Sequence, residues 1–159
     1  MLEITLVRAL HVLAIVHWIG GLSLVTLVIL PAVSRLATPE QRLETFEAIE
    51  GRFAFQARIS VVLAGGTGFW MTHRLGAWAR FLEAEFWWMH AMTLLWLLFT
   101  ILLFIAEPLF LHAWFRRRAL AAPDATFELV LTGHRILLTL AFITVGGSVL
   151  GAHGVPFGW

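Results

Sequence analysis

Four long apolar stretches, at about 4–31, 55–73, 86–111 and 133–153, leave this chain little choice of solvent. Roughly 20 residues of helix cross the hydrocarbon core of a bilayer. Lipid offers no hydrogen-bond partners, so the backbone of such a stretch has to satisfy itself as helix. The 159-residue sequence is 60% hydrophobic, with a mean hydropathy of +0.85, whereas a soluble domain is nearer half apolar. The expected architecture is all-α: an integral-membrane four-helix bundle forming a single domain over 1–159. The first stretch, from Ile4 to Pro31, is too long for the apolar segment of a signal peptide and reads as an uncleaved span.

Orientation follows from the arginines. Arg35, Arg42, Arg52 and Arg58 lie between the first two spans, and Arg116, Arg117, Arg118 and Arg135 between the last two or just inside the fourth. Only Arg8, Arg74 and Arg80 fall on the other side. This asymmetry puts both larger loops in the cytoplasm and both termini on the outer, periplasmic face of a bacterial inner membrane. Within the first loop, Thr38-Pro39-Glu40-Gln41 has the capping-box arrangement. Leu43, Phe46, Ile49 and Phe53 then recur at near-helical spacing. They predict a short amphipathic helix over about 39–50, either on the membrane surface or feeding into the second span. The Arg116-Arg117-Arg118 run reads as an anchor for acidic headgroups.

Composition excludes several chemistries. There is no cysteine, hence no disulfide, thiolate ligand or covalent c-type haem attachment. All eleven basic residues are arginine, which removes a lysine Schiff base or proton carrier. A net charge of +1 gives no reason to invoke nucleic acid.

What remains is histidine. His11, His17, His90 and His153 sit within or at the ends of the expected spans, toward one membrane face. Ionisable groups are costly in a bilayer and mark functional sites. Imidazole also holds haem iron, copper or zinc. His11 lies roughly 10 Å into the first span and His90 about four residues into the third. These depths let two helices offer opposed axial ligands to a b-type haem. His17 is six residues past His11, turned to another face and about 9 Å deeper. It is placed to serve a second haem or a metal, with His153 as its partner. Arg8 and Arg74 stand on the same side, where they can pair with haem propionates. Gly65, Gly66, Gly68, Gly146, Gly147 and Gly151 let either a porphyrin or a neighbouring helix approach closely. Trp70, Trp78, Trp87, Trp88 and Trp159 read as an interfacial belt. His73 and His112 read as interfacial, His134 is open between roles, and Glu107 is expected to pair with Arg58 or Arg135, with a part in proton uptake as the alternative.

A weak internal echo links the second and fourth spans. Arg58-Ile59, Gly65-Gly66 and His73 match Arg135-Ile136, Gly146-Gly147 and His153 in order, as two parallel hairpins would.

Ala9-Leu10-His11-Val12, with Trp18 and Gly21 beyond, resembles the first span of the HemJ-type protoporphyrinogen oxidases, small four-helix membrane proteins that bind haem b. The resemblance continues at Phe46-Glu47-Ala48-Ile49-Glu50-Gly51-Arg52 and at Trp88-Met89-His90-Ala91. CopD-like copper-handling domains share the general pattern. The resemblance implies haem-associated roles for His11 and His90. The family pattern has a lysine two residues after the third-span histidine, where this chain has Met92, and His17, His134 and His153 have no required counterpart. A divergent member with extra ligand capacity fits these departures.

Three readings result. The first is a haem-b membrane cytochrome, with one haem or two, passing electrons to or from a quinone, a porphyrinogen or a small oxidant as a possible haem-dependent oxidoreductase. The second is a copper transporter or handler, to which Met71, Met89 and Met92 contribute thioethers suited to Cu(I). The third is a non-catalytic subunit whose histidines are structural or carry protons. Expected partners are the lipid bilayer, a quinone or redox protein, and a second copy of the chain in a homodimer.

Overall fold

The computed structural model describes residues 1–154. Four long helices account for nearly all of them, and no strand occurs among the described residues. Helix α1 runs Leu2–Val33, α3 Ala84–Ala121 and α4 Pro123–Ala152; each is long and apolar enough to cross a membrane. Helix α2 is a single 36-residue rod, Pro39–Arg74. The amphipathic segment expected near 39–50 therefore feeds straight into the stretch expected as the second span.

Helix α2 is less apolar than the other three for a structural reason. Arg58, Ser60, Thr67 and its glycines dilute its hydropathy, yet Ala57, Ser60, Val61, Ala64 and Gly65 are buried against neighbouring helices. A helix shielded by its neighbours need not look apolar to lipid. Helix α3 is the opposite case. Leu94, Leu97, Leu98, Ile101, Phe104 and Ile105 all point outward, an apolar exposure that water does not tolerate and lipid does.

The boundaries obey local rules. Thr38 caps α2, its hydroxyl accepting from Gln41 N–H at 3.2 Å, with Pro39 in the first turn. The helix ends before Gly76, whose φ of 61° lies in the left-handed region. Between α3 and α4 stands only Ala122, held out of the helical region at φ −146° and ψ 71°, as the following proline favours. Its carbonyl and that of Arg118 accept from the buried Thr126 hydroxyl at 2.7 and 3.1 Å.

All four helices meet in one core. Trp18, Ile19 and Leu22 of α1, Ala57 and Val61 of α2, Leu95 and Phe99 of α3, and Leu138 and Ala141 of α4 pack together. Trp18 meets Phe99 edge to face at 4.8 Å. A second cluster, with Phe46, Phe115 and Phe127 at its centre, closes the arginine-rich end.

Tryptophan over glycine sets the helix spacing. A Cβ at Gly65 would fall within the Trp96 indole, one at Gly147 within Trp87, and one at Gly151 within Trp88. Trp96 Nε1 also donates to the Val61 carbonyl at 2.9 Å. The glycines considered as a porphyrin cradle are thus filled by indoles at three positions. Trp87 and Trp88 are packing residues as much as interfacial ones, and Trp159 lies outside the described residues.

Gly146 faces open space while Gly147 does not, which makes a controlled pair. Gly146→Ala is expected to stabilise by up to about 1 kcal/mol through helix propensity. Gly147→Ala is expected to destabilise by about 1–3 kcal/mol through overpacking against Trp87. Thermal melts of the two variants in one detergent check the opposite signs.

Candidate functional site

Two π-helical segments interrupt the spans, and each is associated with a proline: Val25–Ile29 just before Pro31, and Leu102–Leu111 containing Pro108. Proline has no N–H to give and its ring crowds the preceding turn; a wide turn accommodates it. In the π pattern each N–H bonds five residues back, so Pro108 leaves the Leu103 carbonyl without its backbone donor. Arg58 Nε, reaching from α2, supplies one at 3.0 Å. The same guanidinium pairs through Nη2 with Glu107, one of the two pairings expected for that carboxylate.

Around this clamp gather further titratable groups. Glu50, Glu107 and His112 bring one ligand-type atom each within 4.8 Å of one another. His112 Nε2 stands 3.8 Å from Glu47 Oε1, an oxygen that is buried and accepts no hydrogen bond from a described residue. Burial pushes the Glu50 carboxyl above the usual carboxylate range; Glu107 and Glu47 add to the rise, while His112 and Arg58 oppose it. Sequence reading passed over this cluster because its members are scattered along the chain. The signal that was present is the pair Glu47 and Glu50, one turn apart in an amphipathic helix.

At the other end of the bundle each predicted histidine is held by one ring nitrogen. His11 Nδ1 is 2.9 Å from the Thr67 hydroxyl. That hydroxyl spends its proton on the carbonyls of Leu63 and Ala64, at 2.5 and 3.2 Å. It therefore accepts from His11 Nδ1–H, which leaves the Nε2 lone pair available. The ring also rests on Gly68, where a Cβ would come 3.1 Å from Cε1. His90 Nε2–H donates to the Phe81 carbonyl at 2.9 Å, leaving Nδ1. His17 Nδ1 pairs with Ser60 Oγ at 2.8 Å and the side chain is otherwise exposed. His153 and His134 each donate from Nδ1 to the carbonyl four residues back in α4, Val149 and Val130, at 2.8 and 2.9 Å.

Among the described residues, His11, His17, His90 and His153 do not form a group of three converging ligands of the kind seen at Glu50. Instead His11 and His17 are fastened to α2, His153 to its own helix, and His90 to the short helix Ala77–Leu82. His90 ends an aromatic chain. Phe81 meets the His90 ring at 5.4 Å, Trp78 meets Phe81 at 6.1 Å, and Phe69, next to Gly68, meets Trp78 at 6.3 Å and Trp96 at 5.4 Å. Of the two arginines considered for propionates, Arg74 pairs with Glu3 at 3.2 Å and lies over Trp70, and Arg8 is exposed. His73 is exposed, as its interfacial reading requires.

Comparison of the chain with protein-family models, with curated proteins and with solved structures finds no match.

Removing Arg58 strands both a carbonyl and a carboxylate in the α2–α3 interface. Arg58→Met is expected to cost on the order of 3 kcal/mol. Arg58→Met with Glu107→Leu is expected to recover part of that loss, since no charge is then left unpaired. A double-mutant cycle from thermal melts measures the difference.

Proposed function

We propose that this chain is a haem-b-binding protein of a bacterial inner membrane, acting in electron transfer or oxidoreduction. In this reading all four helices span the bilayer, with termini on the outer face and His11 and His90 as axial ligands. The observation that carries the reading is the state of His11. Its Nδ1–H is secured by a hydroxyl whose own proton is committed elsewhere, so its Nε2 offers a lone pair in a fixed ring. Metal-ligating histidines are commonly oriented in this way by their second nitrogen. His90 follows the same pattern through the Phe81 carbonyl.

The donor chemistry of these two imidazoles fits haem iron. The aromatic chain from Phe69 to Phe81 offers apolar rings beside His90. Bound there, haem would supply one-electron chemistry. The chain's own part is ligation, a low dielectric and orientation of the imidazoles, which together set the potential. The resemblance at His11 and His90 to HemJ-type proteins points the same way. His17 and His153 are left as candidates for a second haem or a metal, and a quinone or redox protein as the electron partner.

An absorption spectrum of the detergent-purified protein, oxidised and then dithionite-reduced, with a pyridine haemochrome count, tests this directly. A Soret band with sharp reduced α and β bands is expected, lost in His11→Ala and His90→Ala. Thr67→Val is expected to keep the haem but shift its midpoint potential, since it frees the His11 ring. Haem content unaffected by both histidine changes would overturn the axial assignment. A colourless protein carrying stoichiometric copper would replace haem with the copper-handling reading.

A further inference from the structure

We propose that Glu50, Glu107 and His112 form one proton-binding site at the arginine-rich end of the bundle, whose occupancy sets how firmly Arg58 holds the π-helical segment of α3. The inference stands apart from the haem reading and uses none of its residues.

The geometry carries it. The charged and titratable groups that meet here are Glu47, Glu50 and Arg58 from α2, and Glu107 and His112 from α3. With His112 neutral, three carboxylates face one guanidinium. Arg58 is committed, through Nε to the Leu103 carbonyl and through Nη2 to Glu107. No hydrogen bond or ion pair joins Glu50 to a described residue, yet its carboxyl lies within 4.8 Å of both Glu107 and His112. Carboxylates so close cannot all ionise without cost, and one of them retains a proton. Glu50 is the member without a cation of its own, and its carboxyl is already held above the usual range by burial.

A protonated Glu50 has an O–H to offer Glu107 or His112, and leaves Arg58 to Glu107 and Leu103. An ionised Glu50 repels Glu107 and competes for the guanidinium. Each step by which Arg58 turns toward Glu50 withdraws the donor that Pro108 cannot supply. The proton enters and leaves by His112, whose side chain is 48% exposed and is the member of the site open to solvent.

Infrared spectroscopy of the full-length protein in lipid nanodiscs tests the site. A carboxylic-acid C=O band is expected to persist at about pH 6, where ordinary carboxylates are ionised, and to vanish as the pH rises. Glu50→Gln should lack it. Glu107→Gln, by freeing Arg58 for Glu50, should move its loss to lower pH. Melting gives an independent readout. A carboxyl whose folded value is raised costs stability only when ionised. That cost is absent below the ordinary carboxylate range and is complete above the folded value. Glu50→Gln should therefore melt higher than the parent at about pH 8, with the gap closing toward about pH 4.5. No acid band in the parent at about pH 6, a band surviving in Glu50→Gln, or a melting gap independent of pH would overturn the proposal. A band abolished by equimolar Mn2+ with one-to-one binding would overturn it in favour of a divalent-cation site.

Discussion

One absent hydrogen bond organises the arginine-rich half of this molecule. Pro108 removes a backbone donor from the middle of an apolar helix, in an environment where no solvent can replace it. The helix widens to π geometry, and the orphaned Leu103 carbonyl takes its proton from Arg58 on α2. That cation then needs a counter-charge, which Glu107 provides from the same widened segment. The carboxylates of Glu47 and Glu50 and the imidazole of His112 border this arrangement. Thus a single proline accounts for a polar cluster in a bundle otherwise dominated by leucine and phenylalanine.

Helix α2 plays the complementary role along the rest of its length. Thr67 and Ser60 lie seven residues apart, two turns of helix, and so share a face. Against that face run His11 and His17 of the antiparallel α1, each with Nδ1 on one of the two hydroxyls. Arg58 points the other way, to α3. The least apolar long helix is thus the one that handles the polar groups of its neighbours, while α1, α3 and α4 turn their hydrocarbon outward.

Much of the fold was legible in the sequence. The length of the apolar runs gave the helical class, Thr38-Pro39 the start of α2, and the carboxylate at Glu107 its partner Arg58. The ligand roles expected for His11, His17, His90 and His153 are a matter of chemistry beyond the fold; what the structure adds is a hydrogen-bond partner for each of these four rings. What could not be read was who holds them. Hydroxyl residues such as Thr67 and Ser60 carry no periodic signal, and their partners lie 56 and 43 residues away. The packing role of Trp87 and Trp88 was hidden for a related reason: an interfacial belt and an indole laid over glycine look alike in one dimension. The echo between the second and fourth spans is not kept in register: Gly65 and Gly147 receive indoles from α3, whereas their counterparts in the echo, Gly146 and Gly66, face open space.

The joint at Ala122 gives the bundle a stiff end and a yielding end. One non-helical residue between two long helices leaves no slack, so the end of α3 and the start of α4 are fixed together, with Thr126 bonded across the joint and Asp124 tied to Arg42 at 2.5 Å. At the opposite end, α2 and α3 are joined through Gly76 and the short 3-10 helix Ala77–Leu82, and α3 itself opens on a 3-10 turn, Ala84–Phe86; the hydrogen bonds of such turns are geometrically poorer than those of an α-helix. The His90 ring is therefore anchored, through the Phe81 carbonyl, at the end joined by these weaker turns, while the α3–α4 joint closes the arginine-rich end.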